Sequence, residues 1–141
     1  IVVSIDAMKI DNHYRVLNEN AEKLHDQDLR KYLERINKLP IGEIYLNSID
    51  KDGTGQGFQN EILDELPVSM SIPLIFAGGA GNHLHLAEGL KHDAVDAVAT
   101  ANLFNFVGDG LKRARENLLE EGFDLAEWDI ATANSLKSCL T

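Results

Sequence analysis

Two segments of the sequence carry residue types that could do chemistry. The first is 48–55, SIDKDGTG, which follows an apolar run and contains the carboxylates Asp50 and Asp52. The second is 78–81, GGAG, which follows another apolar run and leaves the backbone open to a ligand. Carboxylates can transfer protons, and a glycine loop that opens a helix can receive an anion. The two segments together therefore indicate an enzyme site.

The carboxylates are predicted to have different roles. Asp52 is the candidate for proton transfer and Asp50 for holding the loop, because a turn at Gly53 should separate two side chains that an extended chain would place on one face. Gly53 and Thr54 are expected to lie close to a substrate, although Asp-Gly-Thr-Gly is also an ordinary turn sequence. Asp6 ends an earlier apolar run and is expected on the same rim, either in the site or capping a loop.

Two loops are predicted to bind phosphate through backbone N–H groups. Gly78 and Gly79 precede Asn82, which is a suitable N-cap for the following helix. Ala101 and Asn102 open the next helix in the same way. Helix N-termini and glycine turns attract anions, so the pair of loops predicts a phosphate site.

The elements that must position these residues alternate between strand and helix. Apolar runs predict buried strands at 1–5, 43–49, 73–77 and 94–100, a helix follows each, and the last helix covers about 107–121. A small hairpin is expected around Tyr14, before a helix that starts at Asp26 and is stopped by Pro40. This order predicts a parallel α/β sheet, either doubly wound or part of a (β/α)8 barrel. A complete barrel takes about 250 residues, so 141 residues could supply only half of one.

Composition limits the classes of function. Apolar content of 44% and charged content of 26% are typical of a soluble globular protein, and no run approaches the length of a membrane span. A net charge of −10 opposes nucleic-acid binding. The single cysteine, Cys139, suits a reducing compartment, so a cytoplasmic location is expected. The five histidines lack metal-ligand spacing, and neither a metal nor a cofactor is predicted.

These motifs, in their order and spacing, resemble the cyclase subunit family of imidazole glycerol phosphate synthase. The resembling segments are VSIDA at 3–7, GEI at 42–44, SIDKDGT at 48–54, AGGAG at 77–81 and ANLFNF at 101–106. The resemblance implies four parallel βα units, strands five to eight of a (β/α)8 TIM barrel, over residues 1–129. Residues 130–141 are expected to form a loose tail.

The family resemblance also implies a reaction and partners. Ammonia from a glutaminase subunit would be added to a phosphoribulosyl formimino-carboxamide ribonucleotide, giving imidazole glycerol phosphate and an aminoimidazole carboxamide ribonucleotide. Asp52 would be the acid or base of this half, and Asp6 would help to order the site. Glu43, at the opposite end of its strand, would either join a ring of charges that gates ammonia or be an ordinary exposed charge. A half-barrel should expose two edges and an apolar interior face, and should pair with an amino-terminal half or another copy.

Three alternatives stay open at this point. Asn102 and Asn105 stand where the family commonly has serine and histidine, which would suit a paralogue that supports glutamine-dependent amidation of sugars in surface polysaccharide synthesis. A scaffold that binds a phosphorylated ligand without turnover is the second alternative. The third is a calcium-binding module, because residues 50–61 nearly spell an EF-hand loop.

Overall fold

The computed structural model describes residues 1–18, 22–101 and 110–126. The elements in chain order are strands β1 (Val2–Ile10), β2 (His13–Asn18) and β3 (Lys23–Asp28), helix α1 (Leu29–Ile36), strand β4 (Glu43–Ser48), a 3-10 helix (Asn60–Glu65), strand β5 (Leu74–Ala77), helix α2 (His83–Leu90), strand β6 (Ala97–Val98) and helix α3 (Gly110–Glu120). None of the helices in these ranges is long and apolar enough to cross a membrane. The predicted tail, 130–141, lies outside the described residues.

All the strands belong to one sheet, in the order β3-β2-β1-β4-β5-β6. The strands β1, β4, β5 and β6 are parallel neighbours, which confirms the predicted fold class. Their register places Asp6 beside Asn47 and Asn47 beside Ala77. The carboxyl ends of these strands therefore meet at one rim of the sheet.

A hairpin extends the sheet beyond β1. Strand β1 turns into β2 at Asp11 and Asn12, whose φ angles of 48° and 64° suit the tight two-residue turn of an antiparallel pair. Strand β3 then pairs antiparallel with β2. The hairpin prediction is confirmed, but the predicted helix start at Asp26 is wrong, because this residue belongs to β3 and α1 begins at Leu29.

The last predicted strand is much shorter than expected. Only Ala97–Val98 of the range 94–100 is strand, because β6 is an edge and pairs with β5 alone. The last helix is described from Gly110, and residues 102–109, where its predicted start falls, lie outside the described ranges.

The core lies between one face of the sheet and the helices. Strand alternation sends large apolar side chains to this face, and the helices supply the matching apolar side chains. Burying each of the large side chains, those of leucine, isoleucine and phenylalanine, contributes about 1.5–3 kcal/mol relative to exposure. The strand residues include Ile5, Ile44, Leu46, Leu74 and Phe76, and the helical residues include Leu29, Leu33, Ile36, Leu86, Ala87, Ala114 and Leu118.

The face of the sheet opposite the core, here called the open face, is mixed in composition. It carries the polar residues Ser4, Asp6, Tyr45 and Asn47, and strand alternation places Val2, Met8 and Ile75 on the same face. The expected apolar interior face is therefore only partly apolar. The open face leads directly to the rim that holds the candidate site.

Candidate active site

A pair of neighbouring residues on two adjacent strands lies at the base of the candidate site. Asp6 on β1 and Asn47 on β4 lie at the same level of the parallel sheet, and Asn47 Nδ2 donates a hydrogen bond to Asp6 Oδ1 at 3.1 Å. This bond fixes the orientation of a partly buried carboxylate. Asn47 was not predicted from the sequence. The alternation of β4 would have found it, because Asn47 comes two residues after Tyr45 and shares its face.

The loop after β4 separates its two carboxylates in the predicted way. Asp50 Oδ2 accepts a hydrogen bond from the Lys9 N–H at 2.8 Å, which ties the loop to β1. The Asp52 N–H donates to the Ser48 carbonyl at 3.0 Å, and the side chain of Asp52 lines a cavity at the rim. Asp50 therefore holds the loop, and Asp52 is available to a ligand.

The same loop is anchored to the core at its far end. Phe58 is buried and stacks on Phe76 of β5, with ring centroids 4.7 Å apart. Ser48, a fully buried polar residue at the end of β4, donates a hydrogen bond from Oγ to Gln59 Oε1. The loop is therefore fixed at both ends, so the position of Asp52 is defined by packing as well as by sequence.

The glycine loop after β5 packs tightly against the loop after β4. Gly78 and Gly79 have φ angles of 96° and 105°, which L side chains rarely adopt. The Gly57 N–H donates to the Gly79 carbonyl at 2.9 Å. A Cβ atom on Gly79 would overlap the Gly57 carbonyl oxygen, and one on Gly81 would lie 2.5 Å from the Gly55 oxygen. Glycine is therefore needed where the two loops meet.

Helix α2 begins directly after this loop. Asn82 Oδ1 accepts a hydrogen bond from the His85 N–H at 3.0 Å, as expected for the predicted N-cap. His85 Nδ1 accepts from the Gly81 N–H at 3.1 Å, which requires an unprotonated Nδ1. The first turn of α2 therefore supports the glycine loop.

These loops enclose a cavity of about 100 Å³ at the rim. The cavity brings together five residues predicted for the site, namely Asp52, Gly53, Gly78, Gly79 and Ala101, with Tyr45, Asn47, Gly55, Ala80, Ala99 and Thr100. Asp6 is joined to this group through its hydrogen bond with Asn47. A carboxylate, glycine backbone and neutral polar side chains thus surround one space.

The other predicted site residues are not in the cavity. The Thr54 hydroxyl donates to the Lys51 carbonyl at 2.7 Å and accepts from the Gln56 N–H, so this side chain shapes the loop. Thr54 is not among the residues that line the cavity. Glu43 is exposed at the start of β4, at the opposite pole of the sheet. Asn102 lies outside the described residues.

The phenol of Tyr45 is affected by the charges of both carboxylates, Asp52 and Asp6. Burial raises the pKa of its phenol above the usual value, and the charges of Asp52 and Asp6 raise it further. Both carboxylates therefore act on the same part of the open face. The phenol remains protonated at neutral pH.

The calcium interpretation of residues 50–61 is wrong. An EF-hand loop needs a helix on each side, but strand β4 precedes this segment. Asp50 already accepts a hydrogen bond from Lys9, and Glu61 lies in the 3-10 helix. Within the part of the chain that the structure describes, no group of three or more His, Cys, Asp or Glu side chains could hold a metal ion.

A larger cavity, of about 480 Å³, lies at the opposite pole. It is lined mainly by apolar residues of the 63–73 segment together with Asp93 and Asp96. The Asp96 carboxylate accepts a hydrogen bond from the Leu74 N–H at 2.9 Å, which is a structural role. The smaller cavity at the rim, with its carboxylate and glycine loops, is therefore the candidate active site.

Parallel strands with helical crossovers, and a candidate site at their carboxyl ends, define an α/β fold of the kind found in doubly wound sheets and in (β/α)8 barrels. Comparison with known proteins then identifies the family. The profile of the family described as "Histidine biosynthesis protein" matches residues 1–109, and the chain belongs to this family.

Individual relatives agree with this assignment. The chain is 37% identical over 125 residues to imidazole glycerol phosphate synthase subunit HisF of Chlorobium phaeobacteroides (strain BS1), covering 89% of this chain and 50% of the relative. It is 37% identical over 122 residues to HisF of Chlorobaculum tepidum, covering 86% and 49%. A protein of Parasynechococcus marenigrum, provisionally named subunit hisF2 of the same synthase, is 37% identical over 139 residues, covering 98% and 52%. The chain spans about half the length of these curated relatives.

Proposed function

We propose that this chain is the carboxyl-terminal half of a cyclase subunit of imidazole glycerol phosphate synthase. In this proposal, ammonia is added to a phosphoribulosyl formimino-carboxamide ribonucleotide, which gives imidazole glycerol phosphate and an aminoimidazole carboxamide ribonucleotide. The observation that carries it is one rim at which Asp52 and two glycine-containing loops line a cavity of about 100 Å³, with Asp6 joined to them through Asn47. The matched family and its named members support the same reaction.

The proposed chemistry needs protons to be moved while a C–N bond forms and another breaks. Asp52 is positioned to exchange a proton with a ligand in the cavity, since this residue lines that space. Asp6 is oriented by Asn47 and lies deeper on the same face. The glycine loop and the segment that contains Ala101 would receive the phosphate through backbone N–H groups.

The partners in this proposal are an amino-terminal half-barrel, a glutaminase subunit and a phosphorylated substrate. The relatives are named as subunits of a synthase and are about twice as long as the matched region. Glu43, on the pole opposite the cavity, is the proposed ammonia-gate residue of this half. A cytoplasmic location is part of the same proposal.

The test is ammonia-dependent turnover by this chain paired with the amino-terminal half of the Chlorobaculum tepidum relative. Asp52→Asn and Asp6→Asn should each lower turnover by about 10²-fold or more, as expected for loss of general acid–base catalysis. Asp93→Asn, at the opposite pole, is the matched control and should leave turnover unchanged. Full turnover by both site variants would contradict the proposal. An assembled wild-type pair that binds substrate without converting it would favour the non-catalytic scaffold.

The matched family, described by its role in histidine biosynthesis, favours this reaction over amidation of a surface sugar. The same paired protein distinguishes them, because a sugar-amidating paralogue would not release an aminoimidazole ribonucleotide.

A further inference from the structure

Tyr45 lines the cavity, and no role was predicted for it from the sequence. The parallel register places it beside Ser4 and Ile75 on the open face, two residues below the level of Asp6 and Asn47. Its side chain is partly buried and lines the cavity. Strand side chains stand roughly perpendicular to the sheet, so Tyr45 extends from the open face into the space above it. Because Tyr45 lines the cavity, its phenol is within reach of a ligand held there.

The charge of the site favours a neutral donor at this position. An anion that enters the cavity lies beside Asp52, with the carboxylate of Asp6 one hydrogen bond away behind Asn47, in a chain whose net charge is −10. A protonated phenol can donate to an anionic oxygen without adding negative charge. Burial and the two carboxylates keep the Tyr45 phenol protonated, because they raise its pKa.

Most of the other polar side chains of the cavity are already engaged. Asn47 uses one of its two amide hydrogens on Asp6, and Thr100 uses its hydroxyl hydrogen on the Ala80 carbonyl at 3.0 Å. Asp52 offers only acceptor atoms when it is ionised. The remaining residues that line the cavity are glycine and alanine, which offer backbone alone. The phenol O–H of Tyr45 and the second amide hydrogen of Asn47 are thus the side-chain donors left for an incoming anion.

We propose that Tyr45 is a ligand-binding residue, whose phenol O–H donates a hydrogen bond to a phosphate oxygen bound in the cavity. This rests on the proposed function, because it takes the cavity as the phosphate site. The ligand class is a phosphate monoester or inorganic phosphate. Tyr45 thereby complements the backbone N–H groups of the glycine loops with a donor from the floor of the cavity.

The test is calorimetric titration of the chain with inorganic phosphate. Tyr45→Phe keeps the ring and removes the hydroxyl, and it should weaken phosphate binding about tenfold, as expected for a lost hydrogen bond to a charged group. Tyr32→Phe is the matched control, because Tyr32 packs its ring against His25, away from the cavity, with centroids 5.0 Å apart. This control should bind phosphate with unchanged affinity.

A pH series adds a readout that a purely structural role would not give. Wild-type affinity should fall at high pH as the Tyr45 phenol ionises, and Tyr45→Phe should lack that part of the fall. Equal affinities and equal pH profiles for wild type and Tyr45→Phe would overturn the assignment of Tyr45 and leave the proposed reaction standing. Absence of phosphate binding by the wild-type chain would overturn both this inference and the proposed phosphate site.

Discussion

The junction of the two glycine-containing loops gives the sharpest stability prediction. Gly79 combines a positive φ angle of 105° with a Cβ position that overlaps the Gly57 carbonyl oxygen. The left-handed backbone costs about 1–2 kcal/mol for a residue with a side chain, and overpacking adds about 1–3 kcal/mol. Gly79→Ala should therefore lower the free energy of unfolding by about 2–5 kcal/mol.

Substitutions at two other glycines measure the backbone cost and the steric cost separately. Gly122 has a φ angle of 90° and no atom within 4 Å of its Cβ position, so Gly122→Ala should show the backbone cost alone. Gly81 lacks a positive φ angle, but its Cβ would lie 2.5 Å from the Gly55 oxygen, so Gly81→Ala should show the steric cost alone.

Urea unfolding followed by circular dichroism measures all three variants. Gly79→Ala should be the least stable. A Gly79→Ala protein as stable as Gly122→Ala would refute the argument that the loops are in close contact.

Three further predictions concern groups around the rim. Asp52→Asn should lower the pKa of the Tyr45 phenol, because it removes a negative charge that raises this pKa. A pH titration followed by near-ultraviolet absorbance measures the change, with Tyr45→Phe identifying the signal that belongs to Tyr45. Ser48→Ala should destabilise the fold by about 1–3 kcal/mol in urea unfolding, because Gln59 Oε1 loses its donor. Burial and nearby carboxylates raise the folded-state pKa of the Tyr14 and Tyr45 phenols. The stability that these two protonated phenols contribute should therefore be complete below the unfolded-state pKa of about 10, and it should be lost as pH rises through the folded-state pKa values. Unfolding measured across alkaline pH checks this, and an unchanged stability would contradict it.

The sequence predicted the parallel fold because its main signals are local. Apolar runs such as 43–49 and 73–77 are bounded by glycine, proline and polar residues, and they became β4 and β5 with small changes at their ends. Strand β3 was missed because its sequence, KLHDQD, is polar and is held in the sheet by pairing with β2. Strand β6 was predicted too long because its length depends on a neighbouring strand on only one side.

The candidate site was predicted in part for the same reason. Asp52, Gly78 and Gly79 follow strand ends, so their motif positions predicted a common rim. Asn47 and Tyr45 lie inside a strand, and their importance depends on register with β1, which is a contact between residues distant in sequence. Thr54 was assigned to the ligand because its motif contains it, but its hydroxyl completes a local turn.

The rim that carries Asp52 and the glycine loops is proposed to be a single anion-binding site. The most direct measurement is a phosphate titration of the isotopically labelled chain, followed through its backbone amide NMR signals. We expect the largest shifts at the residues that line the cavity, namely Gly53, Gly55, 78–80 and 99–101. Shifts concentrated at the opposite pole, around Glu43 and Asp96, would contradict it.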